Sequence, residues 1–120
     1  MSMAETLSYN VKNNKYFWRG STPTFKLNFA DSLSKFKDIE IGFSQNEKLV
    51  LKKNLNDCDN RGDRSFSLML KKDETMRFEE GDVTLQLQIT TNEDLIIPSN
   101  PHSLYCKNTV FSKENDDEYD

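Results

Sequence analysis

Two runs of alternating apolar and other residues, separated by a charged connector, constrain the fold of this chain more than any other feature. In the first run, Phe66, Leu68 and Leu70 occupy every second position. In the second, every second residue from Val83 to Ile89 is a large apolar one. Because successive side chains of a strand point to opposite faces, each run presents one apolar and one polar face. The pattern predicts a β-sheet that is covered on one face and exposed to water on the other.

The same alternation recurs along most of the chain and predicts an all-β fold. Turn signals such as Gly20 and Pro23 separate the runs. The charged connector has room for one short helical turn, which Asp73 can cap. We predict about seven short antiparallel strands, which favour an immunoglobulin-like β-sandwich, with a small barrel as the alternative. The predicted strands are residues 24–29, 39–43, 48–53, 66–70, 83–91, 95–97 and 104–107, the last continued by 109–111.

Length and charge indicate one folded domain with an acidic end. The chain of 120 residues has room for a single small core. We expect a flexible N-terminal arm at residues 1–15, the sandwich at residues 16–112 and a disordered acidic tail at residues 113–120. The tail holds five carboxylates and one lysine, so it accounts for the net charge of −4. We interpret it as a solvated end or, alternatively, as a docking element for a basic partner.

The charge and hydropathy patterns argue against nucleic acids and membranes as partners. Without the tail the chain is close to neutral, whereas nucleic-acid binding requires a basic surface. No segment approaches the roughly 20 apolar residues of a membrane-spanning helix. The first residues contain neither a basic leader nor an apolar stretch, so we expect no signal peptide. We expect the protein to be kept in a cytoplasm or to be assembled into a particle there.

Candidate catalytic residues are few and isolated. The single histidine, His102, lies in a proline-rich segment near Ser99 and Ser103. Serines near a histidine in a loop do not form a nucleophile and base without an orienting third group, and we interpret His102 as an exposed loop residue. The four glycines are isolated, so no glycine-rich phosphate loop is present. We therefore expect a protein that is not an enzyme and that uses no cofactor.

Metal-binding patterns are also weak. Asp57 and Asp59 have the alternating spacing of a calcium loop, but Arg61 occupies a ligand position. Cys58 and Cys106 are far apart and have no partner histidines, so a zinc site is not indicated. In a reducing compartment, we expect both cysteines to be free thiols.

Two groups of residues are candidates for binding another protein. The first is the flat, uncharged polar face of the second alternating run, formed by Thr84, Gln86, Gln88 and Thr90. An exposed sheet edge next to such a face can also accept a strand from another subunit. The second group is the aromatic cluster of residues 16–18, with Trp18 and the following Arg19. These aromatic rings offer a stacking platform in one interpretation, and in the other Trp18 covers the open end of the core.

Short motifs follow one another in a recognisable order over residues 17–97. RGSTPTFKLNF is followed by the hairpin IEIGFSQNEKLVLKK and then by the connector DETMRFEEGD before the longest strand. The matching residues are Arg19, Gly20, Thr22, Pro23, Thr75, Phe78, Gly81, Val83, Gln86 and Thr91, and the hairpin carries Gln45. This order resembles that of small immunoglobulin-like proteins of phages and prophages of low-GC Gram-positive bacteria. The fold is also similar to the N-terminal module of phage baseplate upper proteins.

The resemblance implies a structural or accessory protein of a phage tail, baseplate or head decoration. Such a protein acts by binding other virion proteins through sheet edges and loops, and it could form a homo-oligomer. The alternative is a small intracellular phage regulator that inhibits a host or defence protein by covering its surface. The sequence departs from the family in two places: Asn92, Glu93 and Asp94 replace a glycine-containing turn, and the closing strand, HSLYCKNTVF, is irregular.

Overall fold

The computed structural model describes residues 9–12 and 15–111. The predicted acidic tail (residues 113–120) lies outside these residues. So do residues 1–8 and 13–14 of the predicted arm. One helical turn, α1 (Lys72–Thr75), precedes the longest strand. The strands are β1 (Tyr9–Lys12), β2 (Tyr16–Trp18), β3 (Thr24–Phe29), β4 (Phe36–Gln45), β5 (Lys48–Asn54), β6 (Ser65–Met69), β7 (Gly81–Thr91), β8 (Ile96–Pro98) and β9 (His102–Lys107).

These strands form two sheets. The smaller sheet has the order β1-β3-β6, and the larger has the order β2-β9-β7-β4-β5, with β8 paired to β7 beside β9. The larger sheet thus contains the hairpin strands β4 and β5 and the long strand β7. The smaller sheet, formed by β1, β3 and β6, packs against it. This division of strands is that of an immunoglobulin-type β-sandwich, as the alternation predicts. The barrel alternative is wrong, because the strands form two separate sheets.

Strand β1 corrects the predicted flexible arm for residues 9–12. Its residues pair antiparallel with β3, with Val11 opposite Leu27. The side chain of Val11 is buried, and the ring of Tyr9 stacks on Phe29 at a centroid distance of 6.2 Å. Tyr9 and Val11 are two residues apart and therefore point to the same face of the strand. Their packing holds this otherwise polar segment on the edge of the smaller sheet. Residues 9–12 therefore belong to the sandwich.

The strand count and direction also differ from the prediction. Nine strands are described where about seven were expected, and β2 runs parallel to β9, with Phe17 beside Cys106. The closing segment splits into β8 and β9 because Pro98 and Pro101 flank the break and lack the N–H that a ladder needs. Residues 109–111 are not part of a strand, since the pairing with β2 ends at Lys107.

The core lies between the two sheets and is rich in phenylalanine. Phe25 of β3 meets Phe43 of β4 across the sandwich at a ring-centroid distance of 5.8 Å. Phe78, from the connector, is fully buried and meets Phe17 of β2 at 5.4 Å. Phe29 and Phe66 pair at 5.3 Å within the smaller sheet. Aromatic rings in these tilted or edge-on arrangements add to the stabilisation by apolar burial. The connector is thereby part of the core.

The helical turn of the connector forms where the sequence predicts it, but Asp73 is not its cap. The cap residue is Lys71, whose backbone N–H donates to the Glu74 carboxylate at 2.9 Å. An acidic residue at the third helical position can reach back in this way and satisfy a donor at the start of the turn. Glu74 also accepts a short hydrogen bond from the ammonium group of Lys53 on β5, and both side chains are almost buried. The turn is therefore attached to the larger sheet.

Left-handed backbone occurs at the two turns where the motifs predicted reversals. Asn46 and Glu47 connect β4 and β5 with φ angles of 54° and 67°. Two positive φ angles in a two-residue hairpin match the right-handed twist of the strands that it joins. Asp94 has a φ of 68° in the turn after β7. Aspartate is one of the few residues other than glycine that tolerate this region, so the turn forms without a glycine.

Candidate interaction surface

The four polar residues predicted on the second alternating run lie together on the outer face of the larger sheet. The apolar side chains of β7 point into the sandwich, so its polar side chains point outward. Adjacent strands extend this face in register: Gly42 of β4 is paired with Gln86, and Ser103 of β9 with Thr84. We call this surface the outer face. It is formed by β2, β9, β7, β4 and β5.

A groove of about 330 Å³ crosses the outer face. Gly42 leaves its floor open, because a Cβ atom there would lie 3.2 Å from the Cδ1 atom of Leu49. Leu49 is 64% exposed and lines the groove, as does Pro98 of β8. Gln86, Gln88 and Thr84 also contribute to the lining, whereas Thr90 does not. The groove thus combines polar side chains with exposed apolar ones.

Both glutamines of the outer face are held by hydrogen bonds within the protein. The Nε2 atom of Gln86 donates to the carbonyl oxygen of Ser99 at 2.7 Å, which fixes the segment after β8. The Nε2 atom of Gln88 donates to a carboxylate oxygen of Glu40 at 3.2 Å. Side chains that are already ordered lose less entropy when a partner binds. Part of the face is therefore preorganised for contact.

Exposed aromatic rings lie at the β2 end of the outer face. Tyr16, Trp18 and Tyr105 are 46%, 42% and 39% exposed. Tyr16 and Trp18 meet edge to face at 5.9 Å, and the Nζ atom of Lys107 lies 4.0 Å from the ring centroid of Tyr16 and 5.3 Å from that of Trp18. We call these four residues the aromatic edge. Phe17, and not Trp18, covers the core, so that interpretation of Trp18 is wrong.

Arg19 has an internal role that the sequence did not predict. Its Nε atom donates to the carbonyl oxygen of Phe78 at 2.5 Å, and its Nη2 atom to that of Met76 at 3.1 Å. Beside it, the backbone N–H of Gly20 donates to the hydroxyl of Thr75 at 2.9 Å. We call these contacts between residues 19–21 and 75–78 the clamp. Arg19, Gly20, Thr75 and Phe78 all belong to the ordered set of short motifs in the sequence, which was the one signal that could have linked the two segments.

The remaining candidate residues provide little for chemistry. Cys58 and Cys106 are free and buried, and burial is the main cause that raises the pKa of each thiol to about 11. At neutral pH they are therefore protonated and poorly nucleophilic.

His102 is the first residue of β9 and is half-buried, so the prediction of an exposed loop residue is wrong. Within residues 9–12 and 15–111, no group of three or more His, Cys, Asp or Glu side chains is placed to hold a metal. No helix in this part of the chain is long and apolar enough to cross a membrane.

Comparisons with known proteins give one similar fold and no family. No family model matches the chain, and no curated protein matches it. Among solved structures, the fibronectin(III)-like modules of CbhA from Clostridium thermocellum are similar, with 10% sequence identity and a TM-score of 0.49. The match covers 83% of this chain and 96% of that chain. The assignment to the immunoglobulin-type sandwich rests on the order of the strands in the two sheets.

Proposed function

We propose that this protein is a non-enzymatic binding module that attaches to another protein through the outer face of its larger sheet. The observation that carries this proposal is the exposure of Tyr16, Trp18 and Tyr105 together on one sheet face. Aromatic side chains are enriched at the centres of protein interfaces because they bury a large area at little entropic cost. The aromatic edge supplies such anchors, and the groove beside Leu49 accepts a protruding side chain of a partner.

The charges of the outer face favour a protein over a nucleic acid. Glu40 and Lys52 form an ion pair at 3.5 Å on this face, so both signs are represented. Nucleic-acid recognition needs a continuous basic surface that neutralises phosphates. A mixed face with fixed amides instead suits a protein partner of complementary shape and charge pattern.

We further propose that the module is a structural or accessory component of a phage particle, in the tail, the baseplate or a head decoration. The support for this placement is the resemblance of the motif order to small proteins of phages and prophages. The motif residues of the clamp hold the connector on the core, so the resemblance concerns the scaffold. The partner-binding residues of the outer face are the part in which such proteins can differ.

Mass spectrometry of purified particles tests the proposal. We expect the wild-type protein in particles made by a host that carries its gene. The double variant Trp18→Ser with Tyr105→Ser should be depleted by about tenfold or more, the effect of losing interface hot spots. Gly42→Val, which fills the groove, should give a smaller depletion. Met69→Ser is the matched control, because Met69 is 51% exposed on the smaller sheet.

The outcome separates the two candidate functions. Absence of the wild-type protein from particles would contradict the structural role. If it also captured a host protein from a lysate, and the double variant did not, the intracellular regulator would be favoured instead. Equal incorporation of the double variant and the Met69→Ser control would contradict the use of the aromatic edge. Size-exclusion chromatography of the pure protein shows whether a second copy is the partner.

A further inference from the structure

Strand β5 forms one edge of the larger sheet, and its outer side is unpaired. Among residues 9–12 and 15–111, β4 is the one strand that pairs with it. With seven residues it is also longer than the other described strands that have a single neighbour, which are β1, β2, β6 and β8. A long edge strand with free backbone groups is a place where a sheet can accept a further strand.

The hydrogen bonds at the end of β5 show which of its backbone groups face outward. The N–H of Asn54 donates to the Oδ2 atom of Asp57 at 3.0 Å, and its carbonyl oxygen accepts from the Sγ atom of Cys58, so neither group pairs with β4. In an antiparallel pair, the backbone groups of successive residues point to alternate sides. Those of Lys53 therefore point towards β4, and those of Lys52 point away from it. Within the described residues, no other segment pairs with the N–H or the carbonyl group of Lys52.

The hydrogen bonds of β7 agree with this orientation. The N–H of Ser99 donates to the carbonyl oxygen of Leu87 at 2.9 Å, and the N–H of Leu87 donates to the Oγ atom of Ser99 at 2.9 Å. Leu87 therefore turns its backbone groups away from Ile41, its partner on β4. Ile41 in turn directs its own groups towards Lys53 on β5. The neighbouring Lys52 is thus the residue whose groups face outward.

The corresponding edge of the smaller sheet, at β6, is closed. The N–H of Asp59 donates to the carbonyl oxygen of Ser67 at 2.7 Å, and the N–H of Ser67 donates to that of Asp59 at 2.8 Å. The N–H of Gly62 donates to the carbonyl oxygen of Ser65 at 2.8 Å. The loop before β6 therefore occupies backbone groups of that edge, whereas no described segment does so at Lys52.

The side chains of β5 select the kind of strand that can pair with it. The strand contains Lys48, Lys52 and Lys53 and no carboxylate. Two copies of β5 side by side would bring six ammonium groups to one seam, and like charges on neighbouring strands are destabilising. Lys53 is paired with Glu74, and Lys48 has no ion pair among the described residues. Lys52 is paired with Glu40, but its side chain is 59% exposed and has donors left for a second carboxylate. The charge pattern therefore disfavours a second copy and favours an acidic strand.

We propose that β5 accepts an extended acidic segment of another protein as a further strand of the larger sheet. The backbone of Lys52 supplies hydrogen bonds, the carboxylates of the segment face Lys48 and Lys52, and an apolar side chain covers Leu49, which is 64% exposed. The inference rests on the proposed function, because it states the chemistry of a partner and adds a second contact. That contact lies at the opposite edge of the larger sheet from β2 and the aromatic edge.

A synthetic peptide tests the edge without particles. The probe is a capped octapeptide of alternating valine and glutamate, and the measurement is amide hydrogen exchange in the isotope-labelled whole chain, followed by NMR. In the free protein, the amide of Lys52 should exchange faster than that of Lys53, which faces β4. With the peptide at about ten times its Kd, exchange at Lys52 should slow about tenfold, because about one molecule in ten remains free. Exchange at Ser67, on the closed edge, should not change.

Two substitutions at one position separate the backbone from the charge. Lys52→Pro removes the outward N–H, which an edge strand tolerates, and should weaken peptide binding roughly five- to tenfold, as for one lost hydrogen bond. Lys52→Gln keeps the N–H and should weaken binding only about twofold, as for one exposed ion pair. Slow exchange at Lys53 shows that β4 and β5 remain paired in each variant. If Lys52→Pro does not fold, the exchange rates of the wild type decide the question.

An octapeptide of alternating valine and lysine is the matched control for charge. It should bind at least about fivefold more weakly than the acidic peptide, because it brings like charges to the seam. Equal binding of the two peptides would contradict the acidic partner. Protection of Lys52 that rises with protein concentration, without peptide, would overturn the proposal by identifying a second copy as the occupant.

Two further results would overturn the proposal. One is exchange at Lys52 in the free protein that is as slow as at Lys53, because the edge would then be closed. The other is the absence of slower exchange at Lys52 with the acidic peptide at about 5 mM, a concentration that detects even millimolar binding. Incorporation into particles is measured separately, with the double variant of the aromatic edge. Failure of this inference and failure of the proposed function can therefore be told apart.

Discussion

The clamp and the aromatic edge use neighbouring residues for opposite purposes. Phe17 and Arg19 point towards the core and the connector, whereas Tyr16 and Trp18 point to the outer face. The clamp fixes two segments that are more than 50 residues apart, with donors and acceptors paired inside the molecule. The aromatic edge has exposed rings, and the Nζ atom of Lys107 lies over the ring of Tyr16. The four residues 16–19 therefore separate the stability of the scaffold from its surface chemistry, and substitutions on the two sides of this segment should have separable effects.

The largest effect is expected from Phe78→Ala, which removes the ring that joins the connector to the core. Phe78 is fully buried between Phe17 and Phe43. Loss of its apolar burial and the cavity that remains should lower the free energy of unfolding by about 3–5 kcal/mol. Urea denaturation followed by circular dichroism measures this change. Met69→Ala is the control, since this side chain is half exposed, and an equal loss in the two variants would contradict the assignment of Phe78 to the core.

The next effect concerns the polar part of the clamp. Arg19→Met should lower the free energy of unfolding by about 2–3 kcal/mol, because the carbonyl groups of Met76 and Phe78 lose charged donors. Arg77→Met removes the same charge from an exposed position of the same connector. If both variants unfold at the same urea concentration, the hydrogen bonds of Arg19 do not stabilise the fold more than an exposed charge does. The clamp role of Arg19 would then be contradicted.

The clamp and the aromatic edge also differ in how far a sequence can predict them. The strands β3, β4 and β7 follow from local alternation, since a period of two is visible within five or six residues. The clamp joins segments whose contact is decided by tertiary packing, so in the sequence only the order of the short motifs associates Arg19 with Thr75. Strand β1 is missed for a related reason: Tyr9 and Val11 show the period of two only once, and their pairing depends on β3.

The orientation of β2 shows a second limit. Alternation places Tyr16 and Trp18 on one side and Phe17 on the other, but aromatic residues occupy both sides. Which side is buried is decided by the fit of Phe17 against Phe25 and Phe78. The polar face of β7 is predictable because its two sides differ in polarity. The hydrogen bonds of this face are not predictable from the sequence. Gln86 meets the carbonyl oxygen of Ser99 only because the chain leaves β8 before it begins β9.

A smaller and pH-dependent effect is expected at the ion pair that attaches the connector to β5. Burial opposes ionisation of Glu74, but the hydrogen bond from Lys53 and the backbone N–H of Lys71 outweigh it and lower its pKa below the ordinary 4.5. A lowered folded-state pKa means that the stabilisation is complete above the unfolded pKa and is lost as the pH falls through the folded one. Glu74→Gln should cost about 1.5 kcal/mol at neutral pH.

The pH dependence of the same pair gives the sharper measurement. Between pH 6 and pH 3, the wild type should lose more free energy of unfolding than Glu74→Gln, because the other carboxylates are common to both proteins. Chemical denaturation at a series of pH values provides the two curves. Glu40→Gln is the control, since its partner Lys52 is exposed and that pair is screened by solvent. Parallel curves for the wild type and Glu74→Gln would show that the connector is held by packing alone.

The smallest effect is expected on the other side of β2, within the aromatic edge. Lys107 stacks over Tyr16 and Trp18 at an exposed site, where a cation–π contact contributes about 0.5–1 kcal/mol. A double-mutant cycle of Trp18→Leu and Lys107→Gln should therefore give a coupling energy in this range, well below the cost of Arg19→Met. A coupling as large as the clamp contribution would mean that the aromatic edge also holds the sandwich together. A small coupling leaves these rings available for a partner, because little stability is lost when Lys107 moves aside.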